Sequence, residues 1–208
     1  MSKIKIKNGF FITGTDTHVG KTFFACRLLK KLAQEGHKTV AIKPVASGCI
    51  ETSEGLCNDD AMLLRQQTTE QLSYTDINPF AFLPPIAPSI AAEEIGCELN
   101  IKNIVVACQP VLQEAADYVI IEGAGGWQVP LNDTETMADL AVAFGYPVIL
   151  VVAIRLGCIN HALLSFESIQ RSGLKFAGWV ANVMDLTVPY ADEIIATLQK
   201  YIGSPLKL

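Results

Sequence analysis

The chain has 208 residues, of which 50% are apolar and 18% charged, and its net charge is −5. That balance excludes a disordered chain, and the length suits one domain over residues 1–208. The acidic excess leaves no electrostatic footprint for nucleic acid or an acidic membrane surface. The longest apolar run, 147–154, is strand-sized and far short of the ~20 residues a membrane-spanning helix needs. The opening MSKIKIKNGFFITG is basic but carries only a short apolar stretch, where an export signal needs ~7–15 such residues. Six cysteines, at 26, 49, 57, 97, 108 and 158, show no Cys-x-x-Cys spacing, and His18, His37 and His161 lie far apart. Neither a zinc site nor a disulfide framework is expected, and a cytoplasmic setting with reduced thiols is.

In chain order, strands are predicted over 9–13, 39–45, 118–122, 147–153 and 176–182. Several are continuously apolar rather than alternating, as parallel strands covered on both faces are. Helical periods separate them. Phe24, Leu28 and Leu32 stripe the first helix, which Gly36 stops. Ile159, Leu163, Phe166 and Ile169 stripe another, ended by Gly173, and Ile194, Ile195, Leu198 and Ile202 stripe the last, ended by Gly203. Segments 46–58 and 73–89, rich in Gly, Ser, Thr and Pro, read as loops. The alternation predicts an α/β domain with a mostly parallel sheet.

Ligands bind outside the carboxyl ends of such strands, so the residues following each strand matter most. After the first comes Gly14-Thr-Asp-Thr-His-Val-Gly-Lys-Thr22, opening an amphipathic helix, which is the context of a P-loop. Backbone N–H groups and the helix dipole there suit a phosphate, with Lys21 on its outer oxygens and the Thr22 hydroxyl on Mg²⁺. The literal pattern fails by one residue, because Thr15 stands where a glycine is usual. Lys43, ahead of Pro44, is expected to finish its strand at the loop edge, either as a surface lysine or reaching an anion; Ser47 and Gly48 follow. Glu122 ends an apolar strand in the manner of a Walker B carboxylate, and the glycines after it permit close approach to a ligand. Asp60 is read either as a helix N-terminal charge or as a second carboxylate for a phosphate-bound Mg²⁺. Glu135 and Asp139 are read as the solvated face of a helix whose apolar side is Met137, Leu140, Ala141 and Phe144.

The segments 14–22, Lys43-Pro-Val-Ala-Ser-Gly48, Glu122-Gly-Ala-Gly-Gly-Trp127, Leu156-Gly-Cys-Ile-Asn-His161 and Gly178-Trp-Val-Ala-Asn182 occur in this order. Together they resemble the dethiobiotin synthetase family, from about residue 8 to the C-terminus. The resemblance implies a P-loop NTPase-like three-layer α/β fold, ATP as co-substrate, Mg²⁺ and a homodimer. It implies carboxylation of 7,8-diaminopelargonic acid by CO₂ and closure of the ureido ring of dethiobiotin, with release of ADP and phosphate. By the same resemblance Lys43 is catalytic. His18, Val19, Gly20, Lys21, Thr22, Phe23, Asp60, Glu122, Gly123, Ala124, Gly125 and Asn182 bind the nucleotide. Thr22, Asp60 and Glu122 hold the metal. Thr17 and Ser47 line the diamine, and Gly157, Cys158 and Asn160 receive its carboxylate from the partner subunit.

Two departures stand out: His18 replaces the glutamate common in relatives, and family members usually continue beyond this chain's end with a segment that helps enclose the base. One rival is another amide-forming or partitioning-type P-loop ATPase, although partitioning ATPases usually carry an extra lysine early in the loop, where this chain has Thr15-Asp16-Thr17. The other is a nucleotide-binding regulatory module without turnover, which has no need of Lys43, Asp60 and Glu122 around one phosphate.

Overall fold

The computed structural model describes residues 8–185 and 187–207; residues 1–7 and 208, included in the single-domain expectation, lie outside them. Five parallel strands form the central sheet: β1 (Asn8–Gly14), β2 (Thr39–Ile42), β3 (Tyr118–Glu122), β4 (Val148–Ala153) and β5 (Phe176–Asn182), in the order β2-β3-β1-β4-β5. The helices between them are α1 (Lys21–Gln34), α2 (Asp59–Gln67), α3 (Tyr74–Ile77), α4 (Pro88–Glu94), α5 (Ile101–Gln113), α6 (Met137–Phe144), α7 (Cys158–Arg171) and α8 (Ala191–Ile202).

The continuous apolarity of the strands has a direct cause: the sheet has a core on each face. Ile12, Ala41, Ile120, Ile149 and Val151 pack with Phe24, Ala25, Leu28, Leu29 and Leu32 of α1. Their sequence neighbours Phe11, Val40, Val119, Val148 and Leu150 point the other way, into a core shared with α4 to α8. Alternate side chains leave opposite faces of a strand, so an apolar residue is needed at every position. The result is the three-layer α/β arrangement. No helix among the described residues is long and apolar enough to cross a membrane.

Three local expectations need correction. The predicted strand 39–45 stops at Ile42, because Pro44 has no N–H to continue a ladder; the Lys43 N–H goes instead to the Ile77 carbonyl, 2.8 Å away. Beyond the break, Val45–Ala46 pairs in parallel with Phe80–Ala81 as a separate small sheet. The segments read as loops also contain a hairpin (Ile50–Thr52 with Gly55–Cys57), α3 and the start of α4, elements too short to show a period. Glu135 precedes α6 rather than lying on it and accepts the Ile101 N–H at 3.0 Å, while Asp139 and Thr136 form a capping box.

Connectivity places the site. After β3, on one side of β1, the chain crosses to β4 on the other side, so the carboxyl end of β1 lies where the strand order switches. The loop that leaves β1 there is 15–20.

Candidate active site

Strand register brings distant residues together at this edge. Ile42 pairs with Ile121 and Ile12 with Glu122. Lys43, one residue past β2, therefore sits beside Glu122, and Glu122 sits beside the last turn of chain before the P-loop. The Lys43 ammonium is 2.8 Å from Glu122 Oε1 and 2.6 Å from Asp60 Oδ2. The Thr22 hydroxyl donates to the same Glu122 Oε1 at 2.8 Å. Lys43 is 4% exposed and Glu122 0%. Lys43 is thus a buried ion-paired lysine and not a surface strand end, because both carboxylates meet it there. Burial alone would lower its pKa, but the Glu122 and Asp60 charges outweigh that and hold it above the ordinary lysine value. Against burial acting the other way, the Lys43 charge holds Asp60 below the usual carboxylate value. Asp60 also lies in the first turn of α2, so its reading as a helix N-terminal charge holds, and its pairing with Lys43 comes in addition.

Lys21, 6% exposed, behaves differently. Its ammonium donates to the Asp16 carbonyl at 3.0 Å, and burial, only partly offset by Glu122, pulls its pKa down to about 8. A cation held by one backbone oxygen, in a loop ending at a helix N-terminus, is poorly compensated and suited to an arriving anion. No side chain caps α1 and its first turn holds no acidic residue. Gly20, its N-cap, has φ +92°, and a Cβ there would lie 2.0 Å from Asn182 Nδ2, so only glycine fits. Asn182 donates to the Val19 carbonyl at 2.8 Å, which ties the end of β5 to the loop. His18 is exposed in the left-handed region (φ +57°), Val19 is buried, and Phe23 is 60% exposed.

After β3, the Gly123 N–H bonds the Ile12 carbonyl, and at Gly125 a Cβ would lie 3.6 Å from the Thr17 hydroxyl oxygen. Gly123, Ala124 and Gly125 therefore run beside the P-loop, and Thr17 faces them. The Ser47 hydroxyl and Glu122 Oε2 are buried with no hydrogen-bond partner. Thr13 Oγ1 is orphaned likewise, and unsatisfied oxygens at the strands' carboxyl edge are what a site for a cation and a polar substrate leaves when read on the protein alone. Among the described residues, no group of three or more His, Cys, Asp and Glu side chains converges on a metal position. What converges is two carboxylates and the Thr22 hydroxyl, a hard-oxygen set that fits Mg²⁺ carried in on phosphates.

Gly157, Cys158 and Asn160 stand apart. Gly157 is the left-handed N-cap of α7, Cys158 is buried and Asn160 is exposed. Among the described residues no hydrogen bond or ion pair joins them to the Lys43 cluster. The link from this loop to the P-loop is Arg155, whose guanidinium lies 2.9 Å from Asp16 Oδ2.

The AAA domain family matches residues 8–206. The ATP-dependent dethiobiotin synthetase BioD of Pseudomonas paraeruginosa is 50% identical over 94% of this chain and 86% of its own length. The enzyme of the same name from Cellvibrio japonicus is 48% identical over 96% and 87%. The chain belongs to the dethiobiotin synthetase family. Escherichia coli O157:H7 carries a further relative, BioD 1, at 45% identity over 95% of this chain and 87% of its own. Among solved structures, the septum site-determining protein MinD from Pyrococcus horikoshii, complexed with Mg-ADP, superposes with a TM-score of 0.57 at 16% identity, covering 97% of this chain and 79% of that one. That likeness speaks for the P-loop NTPase-like fold alone.

For a dethiobiotin synthetase, the residues missed from sequence are those that hold the cluster from behind: Asn58, Tyr74 and Asn78, together with Asp16 and Arg155 at the rim. Nothing in a polar residue of a Pro- and Ser-rich stretch signals that it will be buried.

Proposed function

We propose that this chain is an ATP- and Mg²⁺-dependent cyclo-ligase that joins CO₂ to 7,8-diaminopelargonic acid and closes the ureido ring of dethiobiotin. The observation that carries the assignment of roles is the buried Lys43, held between Asp60 and Glu122 at the mouth of the P-loop. One substrate amine captures CO₂ as a carbamate. The γ-phosphoryl group of ATP passes to a carbamate oxygen, giving a carbamic–phosphoric anhydride and ADP. The second amine attacks the carbonyl carbon, the bond to phosphate breaks, and cyclic urea, phosphate and a proton leave. Negative charge collects on carbamate and phosphoryl oxygens throughout, so catalysis is chiefly positioning and cation placement.

Mg²⁺, when bound by Thr22, Asp60 and Glu122, supplies charge at the phosphate oxygens. Lys43 supplies its ammonium charge to the carbamate and γ-phosphoryl oxygens. Lys21 and the loop amides of His18, Val19, Gly20, Thr22 and Phe23 hold the outer phosphates. Asn182, fastened through its Nδ2, keeps Oδ1 for the base, while Gly123, Ala124 and Gly125 lie along the nucleotide. Thr17 and the unpartnered Ser47 hydroxyl contact the diamine.

The N-terminus of α7 receives the substrate's carboxylate from a second copy of the chain, which makes the working unit a homodimer. Support comes from Leu156, 94% exposed, and Leu164, 58% exposed, on the rim of that helix. A cytoplasmic location suits the six free cysteines. The test is ADP release with bicarbonate and Mg²⁺, with and without the diamine. Release that requires the diamine is expected; turnover indifferent to it returns the chain to the other amide-forming or partitioning ATPases.

A further inference from the structure

Behind the Lys43–Asp60 pair runs a chain of hydrogen bonds that returns on itself. Asp60 Oδ2 meets the Lys43 ammonium at 2.6 Å. The Asp60 N–H donates to the Asn58 side-chain oxygen at 3.1 Å, capping α2. The Asn58 N–H donates to the Tyr74 hydroxyl at 2.6 Å. That hydroxyl donates to Asn78 Oδ1 at 2.8 Å. Asn78 Nδ2 donates to the Lys43 carbonyl at 2.7 Å, closing the ring. Further bonds leave it: Asn58 Nδ2 donates to the carbonyl of Ser47 at 3.3 Å, Asn78 Nδ2 to that of Phe80 at 3.3 Å, and the Ala61 N–H to Asn58 Oδ1 at 3.4 Å.

We infer that Tyr74 and Asn78 are positioning residues for the reaction, holding the Lys43 backbone and the α2 N-terminus in one frame and so setting how Lys43 and Asp60 meet. Asn78 is 2% exposed and Tyr74 3%, so both are buried. Asn78 uses both ends of its amide on this frame, and the Tyr74 hydroxyl both accepts and donates. Each bond is therefore directional, and a hydrophobic residue of equal size fills the space without holding the geometry. The frame is needed because α2 and the Lys43 segment belong to no common sheet: β2 ends at Ile42, and α2 starts beyond the hairpin. Beside the Lys43 N–H bond to the Ile77 carbonyl, the ring adds a directional tie at each end of the pair, Asn78 on the Lys43 carbonyl and Asn58 on the Asp60 N–H. Since outer-shell partners of a metal or reacting group typically matter 10–100-fold, removing one hydrogen-bonding group should cost turnover about tenfold.

The inference rests on the roles proposed above for Lys43 and Asp60, and the experiment keeps the two apart. Tyr74→Phe and Asn78→Leu are compared with Lys43→Ala, and with Ile169→Val as a stability control in the core, on α7. Four quantities are read: kcat, KM for ATP, half-saturation by Mg²⁺, and the calorimetric Kd of Mg²⁺–ADP, all well below each variant's Tm. Tyr74→Phe is expected to lower kcat about tenfold, raise the Mg²⁺ half-saturation and weaken Mg²⁺–ADP, with KM for ATP little changed because the P-loop is intact. Ile169→Val lowers Tm and moves none of the four. Asn78→Leu repeats the Tyr74→Phe pattern more strongly; should it fail to fold, Tyr74→Phe alone decides. Combined with Asp60→Asn, Tyr74→Phe should add little further loss, since both act on one pairing. Wild-type kcat and Mg²⁺ dependence in Tyr74→Phe, beside an inactive Lys43→Ala, would overturn the positioning role and leave the proposed function standing. A fully active Lys43→Ala would overturn the function itself.

Discussion

The two ends of the sheet's carboxyl edge are built on opposite principles. At the β2–β3–β1 end, charge is partnered within the chain: the buried Lys43 ammonium meets the buried Glu122 and the half-exposed Asp60, and Thr22 donates to the same Glu122 oxygen. At the β4 end, the loop 155–160 is open, with Leu156 almost wholly exposed and an uncapped α7 N-terminus. A buried charge must find its partner in the same fold, because an uncompensated one costs several kcal/mol. An exposed apolar residue beside free helix donors has no such requirement and can wait for a partner from outside. The contrast separates a charge cluster that the chain completes by itself from a loop and helix end left open to contact from outside.

The largest expected effect breaks the buried end. Lys43→Ala should lower turnover by about 2–4 kcal/mol of transition-state stabilisation, the scale for removing a positioned charge-stabilising donor. ATP binding should persist, because Lys21 still holds the phosphates; single-turnover rates and nucleotide titration check this. The variant should also lower Tm, since Glu122 keeps its burial and loses a partner.

Next come the carboxylates. Asp60→Asn and Glu122→Gln should each raise the Mg²⁺ needed for half-maximal activity at fixed ATP, as each removes an anionic oxygen from a hard-cation site. Unchanged half-saturation in both would reduce them to ballast for Lys43.

The open end is tested by mixing. Lys43→Ala chains and Asn160→Trp chains, each inactive alone, should form mixed dimers holding one intact site. On random pairing that restores about a quarter of wild-type activity. Mixing without recovery, or a fully active monomer in sedimentation, would end the shared-site reading.

The smallest effect is on alkaline stability. Burial pushes the Tyr74 hydroxyl from 10.0 up to about 12. Between those values the unfolded chain loses the proton and the folded chain keeps it. Stability should fall as pH rises through that window and be untouched by Tyr74 below it. Urea midpoints from pH 9 to 12 should therefore decline less steeply in Tyr74→Phe than in the wild type.

Much of this was legible in the sequence for a simple reason: continuous apolar runs and 3.6-residue stripes are local records of burial. The five strands, the stripes of α1, α7 and α8 and the P-loop needed nothing beyond that periodicity and the chemistry of Gly20, Lys21 and Thr22. Lys43 and Glu122 could be nominated because they stand at strand ends, and parallel strands deliver their carboxyl ends to one edge; Asp60 follows no strand of the sheet and was nominated through metal chemistry alone. What the tertiary structure decided was partnership. Lys43 was equally readable as a surface residue until the β2–β3 register set it beside Glu122 and the cap of α2 swung Asp60 against it. Asn58, Tyr74 and Asn78 carried no signal, because a polar residue in a loop-like stretch looks the same whether it faces water or closes a buried ring. Burial and hydrogen-bond pairing between residues far apart in the chain depend on which segments the fold brings together, and no local pattern encodes that.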